Sequence, residues 1–99
     1  MNENKNIIYA IGSMSTYICY LNLSKKEAMT RYLKMLLDEH DGQVYLSREG
    51  CNYSMEKYET FLTWDEAKLE NYILEKLELD IKKINFNDTF EVYDIEEVF

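Results

Sequence analysis

The sequence predicts an α+β domain: two helices packed on one face of a mostly antiparallel sheet. Three observations carry that expectation. Two Ser/Thr capping boxes each precede an apolar stripe at helical spacing. Short segments rich in Ile, Tyr, Val and Thr fill the remaining chain. Ninety-nine residues, 46% of them hydrophobic, suffice for one two-layer core, so residues 1–99 are read as a single domain.

The first strands are expected over 7–11 and 16–23, where Ile, Tyr, Cys and Leu alternate around Gly12-Ser13-Met14-Ser15. Ser24-Lys25-Lys26-Glu27 is a capping box: the hydroxyl accepts from a free helix N–H and the Glu reaches back to the cap. Met29, Tyr32, Leu33, Leu36 and Leu37 follow at helical steps, predicting a helix over 25–40 that stops at Gly42. A short strand over 44–47 ends in Arg48-Glu49-Gly50, where glycine permits the positive φ of a turn. Residues 51–62 carry two signals. Met55, Tyr58 and Leu62 have helical spacing, but the Tyr, Thr and Phe content favours a strand, and strand is the reading taken.

Thr63-Trp64-Asp65-Glu66 is the second box, opening a helix over 64–79 on the stripe Leu69, Tyr72, Ile73, Leu77. Segments 81–86 and 89–95 flank Asn87-Asp88 and are expected to pair as a hairpin. The central order is strand, helix, strand, strand, helix, strand, with an extra strand at each end. It matches the split βαβ, or ferredoxin-like, arrangement. The sheet face away from the helices is then polar or covered by a partner.

Little in the sequence points to catalysis, and the chain is read as non-enzymatic, with no catalytic, cofactor or metal residues assigned. His40 is the single histidine; it extends the first helix stripe and suits a helix C-terminus. Cys19 and Cys51 lack CxxC spacing, and no His/Cys cluster has zinc-site spacing. Gly12–Thr16 offers backbone N–H and hydroxyl groups of the kind that cradle phosphate, but no P-loop lysine follows. A plain hairpin turn is the first reading there. A small-ligand or nucleotide site there is the alternative; for the whole chain, a structural or oligomerising module using a sheet edge or the uncovered sheet face is another. The opening MNENKN lacks the basic-then-apolar pattern of a signal peptide, so a cytoplasmic protein is expected.

Charge is the most informative total. The formal net charge is −8. Residues 1–55 carry six basic and six acidic groups, whereas residues 56–99 carry five basic and thirteen acidic ones. The closing FNDTFEVYDIEEVF holds Asp88, Glu91, Asp94, Glu96 and Glu97 and no Lys or Arg. Direct nucleic-acid or anionic-membrane binding is disfavoured, since both need a basic footprint. The element order and Tyr20-Leu21-Asn22-Leu23 resemble RNA-recognition motif domains, yet Arg48-Glu49-Gly50-Cys51-Asn52-Tyr53 lacks their alternating glycine–aromatic run.

An acidic half with interleaved aromatics suits a basic partner, since charge steers encounter and Tyr or Trp anchors contact. The candidate partner-binding residues are Glu56, Tyr58, Glu59, Trp64, Glu66, Glu70, Glu91, Tyr93, Asp94, Glu96 and Glu97. Asn, Lys, Ile and Tyr, all with AT-rich codons, are abundant, which suits a low-GC bacterium or its phage. In size, charge and codon bias the chain resembles the small acidic phage and mobile-element proteins that block host defences, including anti-CRISPR proteins that mimic DNA. That resemblance implies an inhibitor of a basic, nucleic-acid-handling host protein; it assigns no residue roles. A homodimer is compatible with the sequence.

Overall fold

The computed structural model describes residues 7–13, 16–21, 23–85 and 94–98. Strands β1 (Ile7–Ser13) and β2 (Thr16–Leu21) pair antiparallel, with Tyr9 opposite Tyr20 and Ile11 opposite Ile18. Helix α1 (Lys25–Glu39) starts at the capping box: Ser24 Oγ accepts from Glu27 N–H at 3.1 Å, and Ser24 N–H donates to Glu27 Oε1 at 3.3 Å. It ends as its sequence requires. His40 N–H donates to Leu36 O, and Gly42, at φ +77°, donates to Leu37 O at 3.1 Å.

The α1 stripe sets the core. Ala28, Met29, Tyr32, Leu33 and Leu36 bury against Tyr9, Ile11, Ile18 and Tyr20. Each large apolar side chain so buried contributes about 1.5–3 kcal/mol. Removing the cap should loosen the stripe at its start. Ser24→Ala is expected to destabilise the protein by about 1 kcal/mol in urea denaturation, and Ser24→Asp to restore most of it.

After α1 come β3 (Gln43–Leu46) and β4 (Cys51–Ser54), an antiparallel hairpin turned by Gly50 at φ +67°. Helix α2 (Tyr58–Leu62) and helix α3 (Glu66–Asn71) follow. A π-helical turn, Tyr72–Lys76, continues α3. Strand β5 (Asp80–Asn85) pairs antiparallel with the free side of β1, and β6 (Asp94–Val98) pairs parallel with β2. The main sheet has the order β5-β1-β2-β6, and β3-β4 stands as a separate two-stranded sheet.

The α+β class and the mostly antiparallel sheet agree with the sequence. Four details do not. The split-βαβ pairing is absent, because β3 and β4 join each other and not the main sheet. The described parts of the expected hairpin between 81–86 and 89–95, β5 and the start of β6, do not pair but occupy opposite edges of the sheet; residues 86 and 89–93 lie outside the described residues. Ile81 and Ile84 instead stand opposite Ile11 and Ile8, so burial against β1 outweighs a weak local turn signal. Asn87-Asp88 lies outside the described residues.

Residues 51–62 are strand only as far as Ser54; from Tyr58 they are helical, which takes Phe61 into the core. The second long helix is likewise broken. Thr63 Oγ1 donates back to Thr60 O at 2.7 Å, and Asp65 is the cap, accepting from Lys68 N–H at 2.8 Å.

The sheet is apolar on both faces. Tyr9 and Ile11 point toward α1, while the alternate residues Ile8 and Ala10 join Tyr17, Cys19 and Ile84 in a second buried cluster. That second face is buried at its centre, while Lys82 and Asp80 of β5, opposite Ala10 and Gly12, stay exposed. Burial pushes the Cys19 thiol pKa up, and Cys51 is exposed; neither forms a disulfide. Among the described residues no helix is long and apolar enough to cross a membrane.

Candidate protein-binding surface

The α2–α3 arm is built on an aromatic box. Phe61 is fully buried, with Trp64 edge-on at 5.2 Å and Tyr72 at 5.1 Å. Trp64 meets Tyr72 at 5.2 Å, and Tyr53 of β4 closes the group against Tyr72 at 6.2 Å. Such tilted and edge-on pairs add about 0.5–1.5 kcal/mol each beyond area burial. The Tyr72 hydroxyl donates to the Tyr53 hydroxyl at 3.0 Å. Burial first, then that hydrogen bond, pushes the Tyr72 phenol far above the ordinary tyrosine range. It stays protonated, a donor locking hairpin to helix.

The end of this arm is fastened to the β3–β4 turn. Glu78 adopts φ +61°, a left-handed conformation that costs a non-glycine residue roughly 1–2 kcal/mol. Its carboxylate accepts from Ser47 Oγ at 3.1 Å and Arg48 N–H at 3.2 Å, and pairs with Arg48 Nε at 3.0 Å. Arg48 Nη2 also donates to Glu75 O at 2.8 Å. Desolvation raises the Glu78 pKa, but the hydrogen bonds from Arg48 and Ser47 together hold it below the ordinary glutamate value.

A depressed carboxylate pKa stabilises above its unfolded value, and the contribution disappears as pH falls through the folded one. Carbon-detected NMR titration is therefore expected to place Glu78 below ordinary glutamates, and Arg48→Ala to move it upward. An unmoved Glu78 in Arg48→Ala would show that the Arg48 contacts are not the cause.

The predicted partner residues divide into two groups. Glu56, Tyr58, Glu59, Trp64, Glu66 and Glu70 all fall on the β4–α2–α3 arm. Asp94, Glu96 and Glu97 fall on β6. Glu91 and Tyr93 lie outside the described residues. Strand β5, which directly follows the arm, is three strand spacings from β6, roughly 14 Å. The β6 acids are therefore not on a hairpin partner of the strand that follows the arm.

Within the arm, three acids are available and one is not. Glu56, Glu59 and Glu66 are exposed and make no ion pair among the described residues. Glu70 is half-buried and pairs with Lys25 at 2.7 Å, tying α3 to the start of α1. The two aromatics are also engaged. Lys68 lies 4.4 Å over the half-buried Trp64 ring, and Lys34 lies 5.3 Å from the Tyr58 ring centre. Such cation–π contacts are worth about 0.5–1 kcal/mol at exposed sites.

Leu62, whose spacing with Met55 and Tyr58 is helical but which the sequence places in a strand, ends helix α2 with 48% of its surface exposed. The arm thus exposes an apolar side chain three residues after Glu59 and four before Glu66 in the chain. Tyr20, the aromatic of the RNA-motif resemblance, is 1% exposed and packs toward α1, so it presents no base-stacking surface. Among the described residues no group of three or more His, Cys, Asp or Glu is placed to hold a metal ion. No family model, curated protein or solved structure matches the chain.

Proposed function

We propose that this protein is a non-enzymatic binding protein, an inhibitor that engages a basic, nucleic-acid-handling host protein in the bacterial cytoplasm, in the manner of DNA-mimicking anti-CRISPR proteins. The observation that carries the reading is the charge division: the whole net charge of −8 resides in residues 56–99. The exposed acids Glu56, Glu59 and Glu66 and the exposed Leu62 support it, since all lie on the aromatic-packed α2–α3 arm. Carboxylates so placed can occupy the positions of phosphates in a basic groove, and the field they create speeds encounter. Leu62 supplies a desolvated contact of the kind found at interface centres.

The test is capture from a low-GC bacterial lysate, followed by challenge with a DNA or RNA duplex. The expected result is a basic nucleic-acid-binding protein released by the competing duplex. A captured protein that stays bound under excess nucleic acid would overturn the mimicry reading.

A further inference from the structure

An open cavity of about 220 Å³ lies between the C-terminal half of α1 and the adjoining ends of β1 and β2. Its lining is divided. Ile11, Ile18, Tyr32 and Leu36 are buried, each no more than 8% exposed, and with half-buried Met35 they make an apolar wall. Ser13, Glu39 and His40 add polar groups, with Glu39 and His40 exposed. The Glu39 carboxylate makes no ion pair among the described residues, and α1 has no basic residue in its last turn. A helix C-terminus carries roughly half a negative charge. Two sources of negative potential therefore meet at a recess with an apolar inner wall and a mainly polar exposed lining.

We propose that this cavity binds a small organic cation, a primary amine carried on a single aromatic ring or a short aliphatic body. The apolar wall takes the ring, Met35 and Tyr32 give it sulfur and aromatic neighbours, and Glu39 takes the ammonium. Anionic ligands are disfavoured by the same carboxylate and helix end. A whole nucleotide would be held only in part, because drug-sized sites occupy roughly 300–1,000 Å³, and its phosphates would face the same carboxylate. Ser13, the part of the Gly12–Thr16 loop that lines the recess, therefore serves a cation and not a phosphate. The site is independent of the α2–α3 arm, so its success or failure leaves the proposed function untouched.

The experiment is methyl-detected NMR titration with phenethylamine, alongside the uncharged 2-phenylethanol and the anionic phenylacetate. Saturable shifts are expected at the Met35 and Ile18 methyl groups. The amine should bind about 3–5-fold more tightly than the alcohol, in line with a partly exposed ion pair. Glu39→Gln should erase that advantage while leaving the alcohol unchanged. Met35→Phe, which narrows the recess conservatively, should weaken all binding. Unsaturable shifts, equal affinity for the three probes, or an amine advantage that survives Glu39→Gln would each overturn the proposal.

Discussion

Replacing Glu56, Glu59 and Glu66 together with Lys is expected to weaken binding to the basic partner by at least about 100-fold while the chain stays folded. One unit charge at 4 Å contributes about 1 kcal/mol even in bulk water. Each reversal replaces an attraction by a repulsion, so three reversals exceed the roughly 2.8 kcal/mol that a hundredfold change requires. The fold tolerates them because none of the three has an ion-pair partner among the described residues. Glu59 and Glu66 do lie in the first turns of α2 and α3, where losing a favourable dipole contact costs about 0.3–1 kcal/mol each.

The milder Glu→Gln triple variant separates the two effects. It should keep the thermal midpoint near wild type and still lose about tenfold in affinity, half of the electrostatic change. Most of the loss should appear in the association rate, and should shrink as salt rises and the screening length falls below about 10 Å. Glu70 is left out of the set, since its loss would release Lys25 and α1. Lys82→Glu with Lys83→Glu on β5 is the matched control, expected to leave binding intact. An unchanged association rate in the triple reversal, with the control equally unchanged, would remove the arm from the interface.

Local signals in the sequence were legible, and long-range ones were not. Ser24 and Glu27 act within one turn, so both ends of their capping box are readable without the fold. Gly42 and Gly50 mark their turns because each needs a positive φ. By contrast, β5 chooses β1 through Ile8 and Ile11, seventy or more residues away in the chain. Nothing near Ile81 announces that choice, whereas Asn87-Asp88 suggested a different one. The second box failed for a local reason: Thr63 and Asp65 are both capping residues, and only the fold shows that the Thr63 hydroxyl is spent on Thr60. The site shows the same limit. Residue types identified an acidic, aromatic arm, but not that Trp64 is roofed by Lys68, that Glu70 is paired, or that Leu62 is bare.

Phe61→Ala is expected to cost about 3–5 kcal/mol, the largest stability loss of any substitution in the arm. Phe61 is fully buried and sits between Trp64 and Tyr72, so truncation leaves a cavity that two large rings cannot refill without leaving their edge-on geometry. A domain of this size has roughly 5–15 kcal/mol in total. With a urea dependence of about 1–3 kcal/mol per molar, the midpoint should fall by roughly 2 M. Trp64, the single tryptophan, reports the transition by fluorescence and should itself shift as its neighbour disappears. Phe61→Leu, which keeps most of the volume, should recover more than half of the loss. The adjacent Leu62→Ala removes an exposed side chain and should stay within about 0.5 kcal/mol of wild type. That contrast carries the argument, because the two residues differ in place and hardly in hydrophobicity. If Leu62→Ala destabilised as much as Phe61→Ala, Leu62 would be core. Its side chain would then be part of the fold's own packing and not a surface for a partner.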